Sequence, residues 1–486
     1  MRPTLLVASA LMAIAAPVSA ETLNDALRAA YETNPELAAA RAAVRRVDES
    51  MPIARSEMRP SVGGSVSFSQ DLDDQLNDFG RVTVAGVRID QPVWAGGRVR
   101  AQLDAADARI GAAREILRSV ENRIIADTVE AYADVLATRE EVRLNQNQVR
   151  VLREQLRASS DRFEVGDVTR TDVAQSQARL ADAEARLVAA EGNALTAEQS
   201  YLRLVGRPPG NLAPLPALPP LPPTVAMARE VGLAGAPVLI AARYDEKAAA
   251  ELVKAIRRER WGSASVNATF GYQIPAGGPF EQFRVDGLVG GINVGATIPI
   301  YTAGLLSSRT RQAEATQSEA IETIESTRRL VIEQTTNAWI AIETANSLIV
   351  SAKASIEANR LASEGVRQEN LVGSRDIIEV LNAEQELLNS QVVLVRAERA
   401  QYAATYRLLQ VIGRAEAAAL GVTDRLYDPT INFQRVNRSW REWQEDPDPR
   451  TDRQRNRPAG ALEPEAMEPP PPSIRRMGPP APGEPQ

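Results

Sequence analysis

The chain has 486 residues, 44% hydrophobic but only 4% aromatic, with no cysteine, no histidine and a formal net charge of −7. Without cysteine there is neither disulfide nor thiol chemistry, and without histidine the commonest general base and metal ligand are gone, so no catalytic, cofactor or metal site is expected. The acidic balance argues against nucleic acid, whose phosphates call for a basic surface.

Met1-Arg2 precedes an apolar run from Leu5 to Ala16 that closes on Val18-Ser19-Ala20, the small-residue pattern of a secretory cleavage site. Residues 1–20 therefore read as a signal peptide, the run being too short for a membrane span of roughly 20 residues. No cysteine follows the cleavage site to carry a lipid anchor. No later stretch offers an uninterrupted apolar run of membrane-spanning length, so an exported chain of this kind enters a membrane only as strands of a closed barrel.

Thr22 is placed to cap a helix carrying Leu23, Ala26, Leu27, Ala30 and Tyr31 at helical spacing. Asn34-Pro35 interrupts it, and a second helix is expected to run to about Met58, with Pro35 in its first turn and a kink at Pro52. The period then changes to two over 61–69 and again over 81–93, predicting two strands of membrane-spanning length around a polar loop at 71–80. The second strand breaks at Pro92, turns through Trp94-Ala95-Gly96-Gly97 and feeds a helix of roughly 62 residues, about 93 Å long. Val135, Val142, Val149, Leu156 and Phe163 recur every seven residues along it, the signature of a coiled-coil seam. Gly166 is suited to stop this helix, Thr169 or Thr171 to cap the next, and the returning helix ends near Gly206.

Residues 207–223 hold eight prolines and form a semi-rigid linker. The chain then repeats itself over 224–423. Asn34-Pro35 matches Ala236-Pro237 at an offset of 202; beyond the strand loop Pro92 matches Pro299, Gly97 matches Gly304, Gly166 matches Gly373 and Gly206 matches Gly413 at 207. Strands are expected at about 262–273 and 288–300, and a shorter seam at Ile342, Ile349 and Ile356. Residues 424–445 have no counterpart in the first repeat and are expected to pack at mid-height; the Pro-rich tail 446–486 is expected to be disordered. The predicted fold class is mainly α with a small β part.

Four strands cannot close a barrel, which needs about eight, so the chain must oligomerise. Three copies give twelve strands and a ring of paired helices. The rival reading, a non-conducting trimeric coiled-coil surface protein, shares the helices but has no need for amphipathic strands placed symmetrically in two halves.

With Asn34-Pro35-Glu36-Leu37, Gln91-Pro92-Val93-Trp94, Ile298-Pro299-Ile300-Tyr301-Thr302-Ala303-Gly304, Arg162-Phe163-Glu164-Val165-Gly166 and Val372-Gly373-Ser374-Arg375 in this order, the chain resembles the TolC-like outer-membrane channel proteins up to about Gly421. That resemblance implies a homotrimer: a 12-stranded barrel in outer-membrane lipid over a long periplasmic α-helical barrel. It also implies a far end that docks a periplasmic adaptor and an inner-membrane ABC or proton-driven transporter, for type I protein secretion or multidrug efflux. By position, Asp172 and Arg375 fall on the family's tip network, Asn370 on a tyrosine of that network, and Glu379 and Asn382 on two successive acidic rings at the entrance. Gly166 and Gly373 fall on the tip turns, and Pro92, Gly97, Pro299 and Gly304 on the bends from barrel to tube.

Overall fold

The computed structural model describes residues 20–70, 81–276, 287–423, 425–440, 442–443 and 446. Met1–Trp440 form one unit, and of the second unit, Arg441–Gln486, only residues 442, 443 and 446 are described. Most of the expected signal peptide, the strand loop at 71–80 and nearly all of the Pro-rich tail lie outside the described residues.

Three helices, not two, precede the first strand: α1 (Leu23–Thr33), α2 (Pro35–Asp48) and α3 (Ser50–Ser56). Thr22 and Asp25 form a capping box for α1, and the Asn34 side chain accepts from the Glu36 and Leu37 amides to start α2. The second break has a plain cause. Pro52 has no N–H to give the carbonyl four residues back, so the helix is interrupted at Glu49 rather than merely kinked.

Strands β1 (Ser61–Gln70) and β2 (Arg81–Trp94) lead into α4 (Arg98–Glu164), which pairs with the returning α5 (Arg170–Val205). The second repeat supplies α6 (Val225–Gly235), α7 (Pro237–Arg258), β3 (Ser263–Ala276), β4 (Gly287–Thr297), α8 (Leu305–Leu371) and α9 (Ile377–Val411); α10 (Thr430–Val436) follows. Both α4 and α8 have 67 residues, a rise of about 100 Å each. The stretch Val225–Trp261 is apolar and long enough by composition to cross a membrane. It is nevertheless broken between α6 and α7, and α7 packs against α4 and α8.

The helix pairs close on small residues. Ser176, Ala183, Ala190, Ala197 and Leu204 recur every seven positions along α5 and are all buried, as are Val331, Ala338, Ala345 and Ala352 along α8. The expected valine seam on α4 holds at Val135 and Val149, but Phe163 is exposed, and burial shifts towards the tip to Leu152 and Ser159. On α8 the expected isoleucine seam is buried only at Ile342; Ile349 and Ile356 are half-buried beside the alanine row. Short side chains let the backbones approach, so the alanines mark the seam and the larger residues flank it.

The main core lies where α1, α4, α5 and α9 meet, around the fully buried Tyr132 and Tyr201. The proline linker is fastened there. The Glu21 amide donates to the Asn211 carbonyl, the Ala213 amide donates back to the Glu21 carbonyl, and the Tyr132 hydroxyl donates to Ala213 O at 2.6 Å. Segment α10 is fixed to the first repeat through Phe433, packed beside Met51, Ala54 and Ile110, and through Asn432, which donates to Asp48.

Candidate functional site

The four strands form one antiparallel sheet in the order β1-β2-β3-β4, so the central pairing joins the two repeats. The register sorts its side chains. Val62, Ile89, Ala268 and Ile292 share one row, and Val66, Ala85, Tyr272 and Leu288 another, all on the same face. The opposite face carries Gly63, Arg88, Thr269 and Gly291 in one row and Ser61, Asp90, Asn267 and Asn293 in the next. The apolar face is bare: Val66 is 78% exposed and Leu288 is 89% exposed. A soluble sheet would bury that face, whereas a membrane barrel turns it to lipid and its polar face to the lumen.

The sheet passes into the helices at two related turns. Pro92 does not break β2: it pairs with Ser265 inside the strand, and the irregularity lies between Pro92 and Trp94. Its missing N–H costs no bond to β1, whose register with β2 stops at Asp90. The turn itself is made by Gly96 (φ +60) and Gly97 (φ +79). Pro299 does lie beyond its strand, since β4 ends at Thr297, earlier than expected, and the turn falls on Ala303 (φ +50) and Gly304 (φ +81). Gly97 and Gly304 thus bend the chain, and the prolines precede the bends. Trp94, Trp261 and Tyr301 stand exposed around these turns, as aromatic side chains do at a membrane–water boundary.

At the opposite ends of α4 and α8, Gly166 (φ +82) and Gly373 (φ +77) turn the chain back. Asp172 completes a capping box at the start of α5, its carboxylate accepting from the Thr169 amide and hydroxyl, both at 2.8 Å. Arg375 is held elsewhere. Its guanidinium donates to Glu369 at 2.8 Å and to Glu379 at 2.5 Å, and these two carboxylates raise its pKa further above the ordinary arginine value. Asn370 donates to the Arg375 carbonyl at 2.8 Å, bridging its own turn. Asn382 accepts from Arg179 of α5 at 2.9 Å, joining the two hairpins. Within one chain Asp172 and Arg375 therefore serve separate tips, while Glu369, Arg375 and Glu379 form one cluster.

A family model described as outer membrane efflux protein matches residues 26–207 and 233–414, one match for each repeat. The chain belongs to the outer membrane efflux protein family. It is 33% identical over 420 residues to the outer membrane efflux protein BepC of Brucella suis, covering 86% of this chain and 91% of that one. It is 23% identical over 428 residues to the outer membrane protein TolC of Vibrio cholerae, covering 84% of this chain and 94% of that one. Its fold matches the CmeC outer membrane channel of Campylobacter jejuni with a TM-score of 0.73 at 17% identity, covering 86% of this chain and 89% of that one.

As a member of this family the chain is an outer-membrane channel protein with a periplasmic helical extension, and not an enzyme. Sequence reasoning passed over three residues that matter to this geometry. Arg179 and Glu369 are charges in polar helical runs with nothing local to mark them, and Trp261 shows its place only once β3 is seen to start two residues later.

Proposed function

We propose that three copies of this chain pair β4 of one with β1 of the next to close a 12-stranded barrel. The barrel continues into a helical tube and serves as a passive exit duct in multidrug efflux and type I protein secretion. A periplasmic adaptor and an inner-membrane transporter, ABC or proton-driven, engage the tube at its tips and supply the energy. The observation that carries this reading is the sheet itself, with one bare apolar face, one polar face and two edge strands that have no strand partner among the described residues. Similarity to a protein named for efflux supports that branch of the role.

In this reading the tips are the entrance. Arg375, fixed between Glu369 and Glu379, holds the turn of the second hairpin, and the Arg179 to Asn382 hydrogen bond holds that hairpin to the first. Asp172 keeps α5 capped while these contacts are exchanged. Single-channel recording in planar bilayers tests the proposal: purified protein that is trimeric and membrane-inserted passes discrete currents, and its failure to conduct overturns the duct. Co-purification with an adaptor and a transporter tests the assembly.

A further inference from the structure

Among the described strand residues, charged side chains occur only on β2: Arg81 at its loop end, and Arg88 and Asp90 within it. Arg88 and Asp90 are two positions apart and so lie on one face, the polar one, about 6.6 Å apart along the strand. Their row neighbours are short. Arg88 stands between Gly63 and Thr269, with Gly291 beyond, and Asp90 stands between Ser61 and Asn267. Arg88 is exposed, Asp90 is half-buried, and among the described residues neither has an ion-pair partner. Nothing in their rows is long enough to cover the guanidinium.

We propose that Arg88 and Asp90 set the charge selectivity of the barrel lumen, as a ring of three cations stacked on a ring of three anions. This rests on the closure of the strands into a trimeric barrel proposed above. Strand β2 runs from the loop end at Arg81 to the helix junction at Trp94, so cargo leaving the helical tube meets Asp90 first and Arg88 second. The rings lie within one Debye length at physiological salt, about 8 Å, so each partly offsets the other. An anionic group is favoured at the level of Arg88 and a cationic one at Asp90. Loss of either residue leaves a single uncompensated ring.

The chain has no cysteine, so one engineered thiol reports its own surroundings without background. Thr269→Cys places it in the row of Arg88, and Thr83→Cys places a control on the apolar face. Trimers in lipid vesicles are treated at low salt with methanethiosulfonates bearing either a sulfonate or a trimethylammonium group. The expected result at Thr269→Cys is a faster reaction with the sulfonate probe. Adding Arg88→Gln lowers the sulfonate-to-ammonium rate ratio at least fivefold, Arg88→Lys preserves it, and Asp90→Asn raises it. A ratio that Arg88→Gln leaves unchanged, with Thr269→Cys reactive and Thr83→Cys inert, overturns the selectivity role and spares the barrel. Reaction at Thr83→Cys with none at Thr269→Cys overturns the barrel and this proposal with it.

Discussion

Tyr201 donates its hydroxyl to the Glu21 carboxylate at 2.8 Å, and the same carboxylate oxygen accepts from Arg207 at 2.7 Å. Burial and the Glu21 charge push the Tyr201 hydroxyl far above its ordinary pKa, and burial is the main reason that of neighbouring Tyr132 is raised to about 12. Both rings stay neutral donors at any working pH. Tyr201→Phe should therefore cost about 1.5–3 kcal/mol, as expected for a lost hydrogen bond to a charged acceptor. The check is a thermal melt of the purified protein. Glu21 also anchors the proline linker through its backbone, so Glu21→Ala should leave that pairing intact, but it removes the acceptor of both Tyr201 and Arg207 and should cost at least as much as Tyr201→Phe. An unchanged melting temperature for Tyr201→Phe would show that the bond contributes nothing.

Asp48 is fully buried, accepts one hydrogen bond from Asn432 at 2.8 Å, and has its other carboxylate oxygen buried without a hydrogen-bond partner among the described residues. Burial raises its pKa above 3.8, against the smaller opposing pulls of Asn432 and Arg114. The sign follows from linkage. The folded chain binds this proton more tightly than the unfolded chain does, so Asp48 opposes folding increasingly as pH rises from about 4 through the raised folded value. Asp48→Asn should raise stability at pH 7, with the gain shrinking towards pH 4. Chemical denaturation across this range provides the test, and a gain that is the same at both ends contradicts it.

Gly96 and Ala303 are equivalent positions in the two repeats, and both take positive φ. A Cβ on Gly96 would come within 2.8 Å of the Arg258 carbonyl oxygen and 2.9 Å of the Trp261 Cβ, whereas the glycine beside Ala303 has open space around it. Gly96→Ala adds that collision to a left-handed cost of about 1–2 kcal/mol, and should lower the yield of assembled trimer. Ala303→Gly relieves only the backbone term and should leave stability equal or slightly higher. Equal behaviour of the two substitutions in a heat-dissociation assay would remove this distinction.

Ile292 and Asn293 are adjacent on β4, both exposed, and point to opposite faces. Arginine at 292 should destabilise the inserted barrel by about 2–4 kcal/mol if that level is near the membrane midplane. Arginine at 293 should be tolerated. Urea titration in lipid vesicles separates them, and equal tolerance would contradict a lipid-facing apolar surface.

In the entrance proposed above, only Glu379 of the two proposed ring positions carries charge, since the other is Asn382. Glu379→Gln should reduce cation selectivity in bilayer reversal-potential measurements, and Arg375→Ala, which frees Glu369 and Glu379 to repel each other, should raise conductance. Selectivity unaltered by Glu379→Gln would dissociate this residue from the entrance.

The turns were legible in the sequence wherever one residue type is almost compulsory. Gly97, Gly166, Gly304 and Gly373 all adopt the left-handed conformation that their positions suggested. The strands were legible by alternation, although β4 ends before Pro299 and β2 continues through Pro92, because whether a proline stops a strand depends on which side still has a partner. The helix seams were read one step off. Large residues at sevenfold spacing suggested seams on α4 and α8, whereas the continuously buried sevenfold rows are Ser176 to Ala197 on α5 and Ala338 to Ala352 on α8. The tip network was the least legible part. Arg375 could be placed by motif, but its partners follow from which charges the folded turn brings within reach, and the sequence does not rank them.

Each of α4 and α8 leaves the sheet at a two-residue left-handed turn and runs to its tip without interruption. A rigid rod of about 100 Å is a lever. A tilt of only 3° at Gly96-Gly97 or Ala303-Gly304 carries the far end sideways by about 5 Å, by simple proportion to that length. Small rotations at the membrane surface and large displacements at the tips are thus the same motion, and a stiff hinge will hold the distant end as firmly as any contact made there.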